Sequence, residues 1–452
     1  MQKLLKKFDS LLKFGVAAIL IAVPLYPKFP FINVPGTYVS IRIEDFLVFF
    51  VVLISTLLFL KDLKVKNLKE KIKSIFKNKF AVSFILFFAI TLLSVLSGIF
   101  LTKTVVFHIG FLHWARRIQY MILFFVGIQV VKSIKDVKFF TKCLMIVIVF
   151  VFFFGIGQKY FGLPVITTQN SEYSKGIALR FMQGSHLIST FAGHYDLSTF
   201  LILVSPLLYT TLVSDISKKP KVLILFCMLS SLWLLSNAAA RISFVAYEGA
   251  IVLTLILVKK YKFIALFLVI SAIFALFSPN LVSRFTNIFD VTIKKIITST
   301  HVQVYAQEES PTPTPIPVVE DRSTSIRLNV EWPRAIRAFE INPFLGTGFS
   351  SISLATDNDY LRVLGEAGIL GFLSFITIFI RIIKKLLDEI NLKSKNFKNA
   401  YLIALIATLP AIFLNSLFID VFEASKFAMI FWLMLGFGVG LQKIKDENIK
   451  DF

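Results

Sequence analysis

About twelve apolar runs, most of them near the ~20 residues that cross a hydrocarbon layer about 30 Å thick, leave this chain few ways to fold. They lie at roughly 13–27, 43–60, 80–100, 113–131, 139–161, 191–213, 222–238, 242–258, 263–279, 367–383, 400–418 and 424–441. A soluble chain of 452 residues needs a polar surface. A composition 56% apolar, with 50 phenylalanines and a mean hydropathy of +0.77, does not supply one. The expected fold class is all-α: a polytopic helical membrane protein of about 12 transmembrane helices with one large extracytoplasmic loop. The basic start and apolar core of the first run resemble a signal peptide, but no small-x-small cleavage site follows, so an uncleaved first span is expected.

The connections between runs alternate in charge. Segments 61–79, 132–138, 214–220, 259–262 and 384–399 are rich in lysine, and an even number of spans puts them on the same side as both termini. By the positive-inside bias that side is the cytoplasm. A net charge of +22 would point to nucleic acid in a soluble chain; here it follows from these loops, and no nucleic-acid partner is expected. Arginine is distributed the other way. Arg42, Arg116, Arg117, Arg180, Arg241, Arg284, Arg322, Arg327, Arg334, Arg337 and Arg362 all fall outside or at outer helix ends, and Arg381 falls inside. Lysine is a hydrated point charge that suffices for topology, whereas the guanidinium fork grips phosphate oxygens two at a time. The outer face therefore carries the residue suited to a phosphorylated ligand, unless these arginines pair with outer acids.

Four regions follow. Residues 1–175 hold about five N-terminal spans and 176–279 the central spans; 280–366 form the large outer loop, and 367–452 hold the last spans and a cytoplasmic tail. Within the loop, 309–321 is rich in proline and threonine and reads as an extended spacer. Leu328, Trp332, Ala335 and Phe339 follow helical spacing, Pro333 starts or kinks that helix, and NPFLGTGF closes it.

Three places concentrate polar chemistry. The first is TDNDYLRVLGEAGILGF, 356–372, where Asp357, Asn358 and Asp359 fit a helix N-cap and Glu366 lies further in, toward the membrane. Asp357 or Glu366 can serve as a general base if burial or a neighbour tunes it. The second is Arg241, in the short turn NAAARISF, where it either reaches lipid headgroups, pairs with Glu248, or holds a ligand. The third is 176–201, with Arg180, His186, His194 and Asp196; a buried acid such as Asp196 needs a partner. Two histidines beside one acid are a weak metal signal, and Cys143 and Cys227 read as small buried hydrophobes, so no metal or other cofactor is expected. The phosphate loop GxxxxGK[ST], the zinc motif HExxH and the GxSxG elbow are all lacking. An outer site also lacks ATP, so any transfer there uses a substrate activated beforehand, such as a lipid diphosphate sugar.

The succession ISTFAGHYDLSTFL, NAAARISF, a long outer loop, an arginine and tryptophan ahead of NPFLGTGF, and then DNDYLRVLGEAGILGF resembles the O-antigen ligase/O-antigen polymerase superfamily of bacterial envelope glycan enzymes. The resemblance covers about 175–440, and the earlier spans agree in hydropathy alone. It implies metal-independent, glycosyltransferase-type ligase or polymerase chemistry at the outer face. The implied donor is a glycan on an undecaprenyl-type diphosphate, and the implied acceptor is a sugar or glycolipid such as lipopolysaccharide. It implies that Arg241 and Arg327, with Arg180 and Arg334 as further candidates, hold the diphosphate. Ligases of the family open the motif HNxYL with a histidine as the proposed base; Asp357 stands there in this chain. The base is then Asp357 or one of Glu366, His194 and Asp196. A lipid-linked sugar transporter shares the apolar bulk and the arginines, but calls for two related halves with paired helix breaks, and the sequence has no such halves.

Overall fold

The computed structural model describes residues 2–27, 31–37, 40–62, 73, 75–165, 181–182, 184–213, 218–286, 322–353, 355–392, 394 and 396–444. Lipid offers no hydrogen bonds to an open backbone, so apolar runs of this length become helices. The chain enters with α1 (Gln2–Leu25), α2 (Ile43–Asp62), α3 (Lys79–Phe100), α4 (Phe107–Val130) and α5 (Ile134–Phe161). It continues with α6 (His194–Val213), α7 (Lys218–Ala238), α8 (Arg241–Leu257), α9 (Lys262–Leu276) and the short α10 (Pro279–Thr286). After α11 (Arg322–Ile326), a π-helical turn (Arg327–Glu331) runs into α12 (Trp332–Ile341), and α13 (Asp359–Leu387), α14 (Phe397–Asn415) and α15 (Ser425–Leu441) follow. Each apolar run read from the sequence falls on one of α1–α9 or α13–α15.

Eight of the described helices are long and apolar enough to cross a membrane, and nine if α9 and α10, bent by 94°, form one span. This is a multi-pass helical membrane protein. The count of about twelve goes further than helix length and composition support: α4 carries Arg116 and Arg117, and α8 and α15 have 17 residues each. Two departures from the expected architecture are small and local. Residues 32–33 and 40–41 pair as a two-stranded antiparallel hairpin, Ile32 opposite Ile41, in the first connection. The apolar run read at 367–383 is the inner part of a longer helix that begins at Asp359, where, as the N-cap pattern of 357–359 indicates, Asn358 caps it by accepting from the Leu361 N–H at 3.0 Å. The polar knot is thus the cap and first two turns of α13. The Pro/Thr-rich stretch 309–321 lies outside the described residues.

The core is centred on α15, which is buried along its whole length and packs on α4; α14 packs on α6 and α8, and α13 on α3. Helices in lipid gain no hydrophobic drive from meeting, so close backbone approach has to supply the contact. A Cβ on Gly436 would stand 2.2 Å from the Phe124 carbonyl oxygen, and one on Gly127 would stand 2.6 Å from that of Leu433. Gly436→Val should therefore force α4 and α15 apart. We expect a loss of about 1–3 kcal/mol, read as a lower melting temperature in detergent. Gly249→Ala, which meets nothing within 4 Å, should leave the melt unchanged.

Candidate active site

The two halves of the C-terminal motif are each other's structural partners. Gly346 and Gly368 both adopt positive φ, +68° and +65°, and the helical dihedrals of α13 are interrupted at Gly368. The interruption exposes backbone groups that NPFLGTGF satisfies. Thr347 N–H donates to Gly365 O at 2.9 Å, Gly348 N–H to Glu366 O at 2.8 Å, and Ile369 N–H to Pro343 O at 2.8 Å. Side chains cannot be inserted there, since a Cβ on Gly368 would lie 2.3 Å from the Phe344 carbonyl oxygen. The same turn docks on the end of α3: Thr104 Oγ1 donates to Thr347 O at 2.6 Å and Ser94 Oγ to Glu366 O at 2.6 Å.

On this seam stands a buried ionic cluster. Arg362, 3% exposed, faces Asp420 at 2.9 Å, Glu423 at 3.5 Å and Glu366 at 3.6 Å, and donates to the Ile352 carbonyl at 3.3 Å. Arg117 of α4 pairs with Glu423 and donates to Phe422 O at 2.8 Å. Asp359 accepts the Val421 N–H at 2.8 Å, and Asp420 accepts the N–H groups of Thr356 (2.8 Å) and Asn358 (3.2 Å). The cluster fastens the start of α13 to the turn between α14 and α15. Glu366, one of the two acids singled out as a base, lies inside it, 2% exposed.

Asp357 points elsewhere. It has φ +49°, which turns it away from its neighbours Asn358 and Asp359. Its Oδ2 accepts from Arg327 Nη2 at 2.7 Å and Nε at 3.0 Å, and Arg327 Nη2 also meets the Tyr195 hydroxyl at 3.4 Å. Burial pushes the Asp357 carboxyl above its ordinary range, and the Asp420 charge adds to this while Arg327 opposes it. Burial works against the Arg327 charge too, but Asp357 and Tyr195 outweigh it and hold the guanidinium above its usual value. The result is a fixed, permanently charged fork at the first turn of α6.

Beside it, the His194 ring stacks on His186 with centroids 4.2 Å apart and lies 4.0 Å from the Tyr195 ring. His186 Nδ1 faces the Ala238 carbonyl at 3.1 Å, so that nitrogen carries the proton. Burial and the nearby Arg284 charge push His186 down to about 4, which keeps it neutral near pH 7. The turn between α7 and α8 closes this side. Arg241 Nη1 donates to the Arg284 carbonyl at 3.2 Å, and Arg284 Nη1 donates to the Ala239 carbonyl at 3.1 Å. Arg284 and Arg327 both lie within electrostatic reach of His194. Among the described residues no three His, Cys, Asp or Glu side chains gather as a metal-binding group.

The structure thus brings Arg327, Asp357, Tyr195, His194 and His186 together, with Arg241, at the start of α8, and Arg284, on α10, interlocked near them. Asp196 is buried in the first turn of α6, where the helix dipole favours a carboxylate. Arg334 lies on α12 within reach of the Glu331 charge. Glu248 receives a hydrogen bond from Ser271. Arg180 lies outside the described residues. The sequence reading did not single out Tyr195, Arg284, Glu331, Asp420 or Glu423. Its arginine count did contain Arg284, and DVFEAS at 420–425 was the one acidic turn between the last spans.

A polytopic helical membrane protein with a cluster of buried, oriented guanidinium and carboxylate groups at one end is the class that this geometry defines. Residues 224–376, about a third of the chain, match the family model described as O-Antigen ligase, and the span contains Arg241, Arg327, the glycine seam and Glu366. The match supports a place in the O-antigen ligase/O-antigen polymerase superfamily, the one the sequence resembles. No curated protein matches the chain.

Proposed function

We propose that the protein moves a glycan from a polyprenyl diphosphate donor to an acceptor sugar or glycolipid at the outer face of the bacterial cytoplasmic membrane. In this reading the twelve apolar helices all cross, both termini are cytoplasmic, and the arginine-bearing end faces out. The observation that carries it is Arg327, buried and held at two points by Asp357, with Arg241 of α8 and Arg284 of α10 interlocked at the same end of the bundle. The acceptor hydroxyl attacks the anomeric carbon, the bond from that carbon to the phosphate oxygen breaks, and the diphosphate leaves as an anion. Fixed cations where that charge develops lower the barrier without reorganising, and guanidinium groups fill this role without a metal. Arg241 and Arg327 are the assigned diphosphate-holding groups, with Arg180 and Arg334 as further candidates. Asp357 sets the orientation of Arg327. Asp357 and Glu366, or His194 and Asp196, are the motif-derived candidates for the proton acceptor.

The test is a deletion strain complemented with wild type or Arg241→Ala, with its glycans profiled by gel and mass spectrometry. Wild type should restore transfer and Arg241→Ala, at equal expression, should not. Full-length chains left on lipid identify a ligase, and single repeat units left on lipid identify a polymerase. Lipid-linked glycan retained at the cytoplasmic face would identify a transporter and end the reading, as would rescue by Arg241→Ala.

A further inference from the structure

Three polar groups within four residues, at the junction of the π-helical turn and α12, are unexplained by the fold. Glu331 Oε2, Trp332 Nε1 and Arg334 Nη1 are each buried, and none has a hydrogen-bond partner among the described residues. Buried polar atoms are almost always satisfied, and three orphans within four residues, one acceptor and two donors, call for a ligand that both gives and takes hydrogen bonds. A sugar does both. Glu331 is one helical turn from Arg327, and the charges that act on its carboxylate are those of Asp357, Arg327, Asp420 and Arg334. It therefore lies within electrostatic reach of the Arg327–Asp357 pair. Asp357 has its Oδ2 committed twice to Arg327, and Glu366 is 2% exposed inside the Arg362 cluster, where a large acceptor does not reach.

On the reading given above, we propose that Glu331, Trp332 and Arg334 form the acceptor-sugar subsite, and that Glu331 takes the proton from the attacking hydroxyl. The step balances. The acceptor oxygen bonds to the anomeric carbon, its proton passes to the Glu331 carboxylate, and the electron pair of the broken carbon–oxygen bond leaves on the diphosphate held by Arg327 and Arg241. Trp332 Nε1 and Arg334 Nη1 donate to other acceptor hydroxyls, while Asp357 keeps Arg327 oriented toward the leaving group. Burial, with the Asp357 charge second, pushes the Glu331 carboxyl up to about 7. A base with that value is a strong acceptor that is still half ionised near neutral pH. Since transfer needs the ionised form, kcat/KM should rise with pH through about 7 and level off above it.

The experiment uses the full chain in proteoliposomes, the lipid-linked glycan fraction extracted from the deletion strain as donor, and that strain's glycolipid fraction as acceptor. Wild type should transfer with an acid limb near pH 7. Glu331→Gln should lower kcat about a hundred-fold or more, with little change in donor KM and with the acid limb lost. Glu331→Asp should keep the limb. Asp357→Asn should raise donor KM and also keep it. A Glu331→Gln enzyme that is folded and retains the wild-type rate and limb overturns the subsite while leaving the transfer reading intact. A wild-type profile flat from about pH 6 to 8 overturns the proton role even if no variant folds. Absence of any transfer by wild type overturns the transfer reading and the subsite with it.

Discussion

Arg327→Ala should cut glycan transfer about a hundred- to a thousand-fold, the scale on which one preorganised donor to developing charge is usually lost. The expectation rests on how the guanidinium is held. A surface arginine samples many rotamers and offers its charge diffusely, whereas Arg327 is 7% exposed and tied to Asp357 at 2.7 and 3.0 Å. Its orientation is settled before any substrate arrives. Arg327→Lys keeps the charge but loses the planar two-point grip, so most of the defect should persist. Asp357→Asn removes the charge that orients the fork, and its defect should be smaller and fall chiefly on donor KM. Steady-state transfer in proteoliposomes, with melting temperature as a control for folding, separates the three. An Arg327→Ala enzyme within about threefold of wild type would remove Arg327 from the site, since a lost contact to the leaving group is larger than that.

The fold was largely legible because lipid simplifies the code: apolar length alone marks a helix, and each run became one. Helix starts were less so. Residues 356–366 are as polar as a loop, and although Asn358 caps α13, the charged groups that follow are held by groups far away in sequence: Asp359 by the Val421 and Phe422 N–H groups, and Arg362 by Asp420 and Glu423. Periodicity carries no information on such pairs. The outer arginines divide into two kinds for the same reason. Arg116, Arg117, Arg327 and Arg362 pair with acids, while Arg241 and Arg284 bind carbonyls. Composition shows that arginine gathers at one end, and only geometry shows which of them a neighbouring acid already holds. Glu331 was hidden more thoroughly: nothing in RLNVEW separates it from any other helical glutamate until Asp357, 26 positions further on, is seen within reach of its charge.

Arg362→Met should destabilise the protein by about 3–5 kcal/mol, because it strands buried carboxylates and does not merely delete a contact. Arg362 and Glu366 are 3% and 2% exposed, and the Asp420 side chain is 12% exposed. Arg117 can still answer Glu423, which places the loss toward the lower end of that range. At the opposite end of the bundle, Glu389 pairs with Lys385 at 3.8 Å and Lys398 at 3.9 Å, but it is 34% exposed and screened by water. Glu389→Ala should therefore cost no more than about 1 kcal/mol. Thermal unfolding in detergent compares the two directly. Equal shifts would mean that the Arg362 cluster is hydrated and weak, and that α13 is fixed by the glycine seam instead. With unequal shifts, the transfer rate of the Arg362→Met molecules that remain folded becomes the informative quantity. A wild-type kcat in that fraction makes the cluster a scaffold, separate from the chemistry at Arg327. A kcat that falls with stability means that the position of Asp357, five residues before Arg362, depends on the cluster, and that the site and the scaffold are one unit.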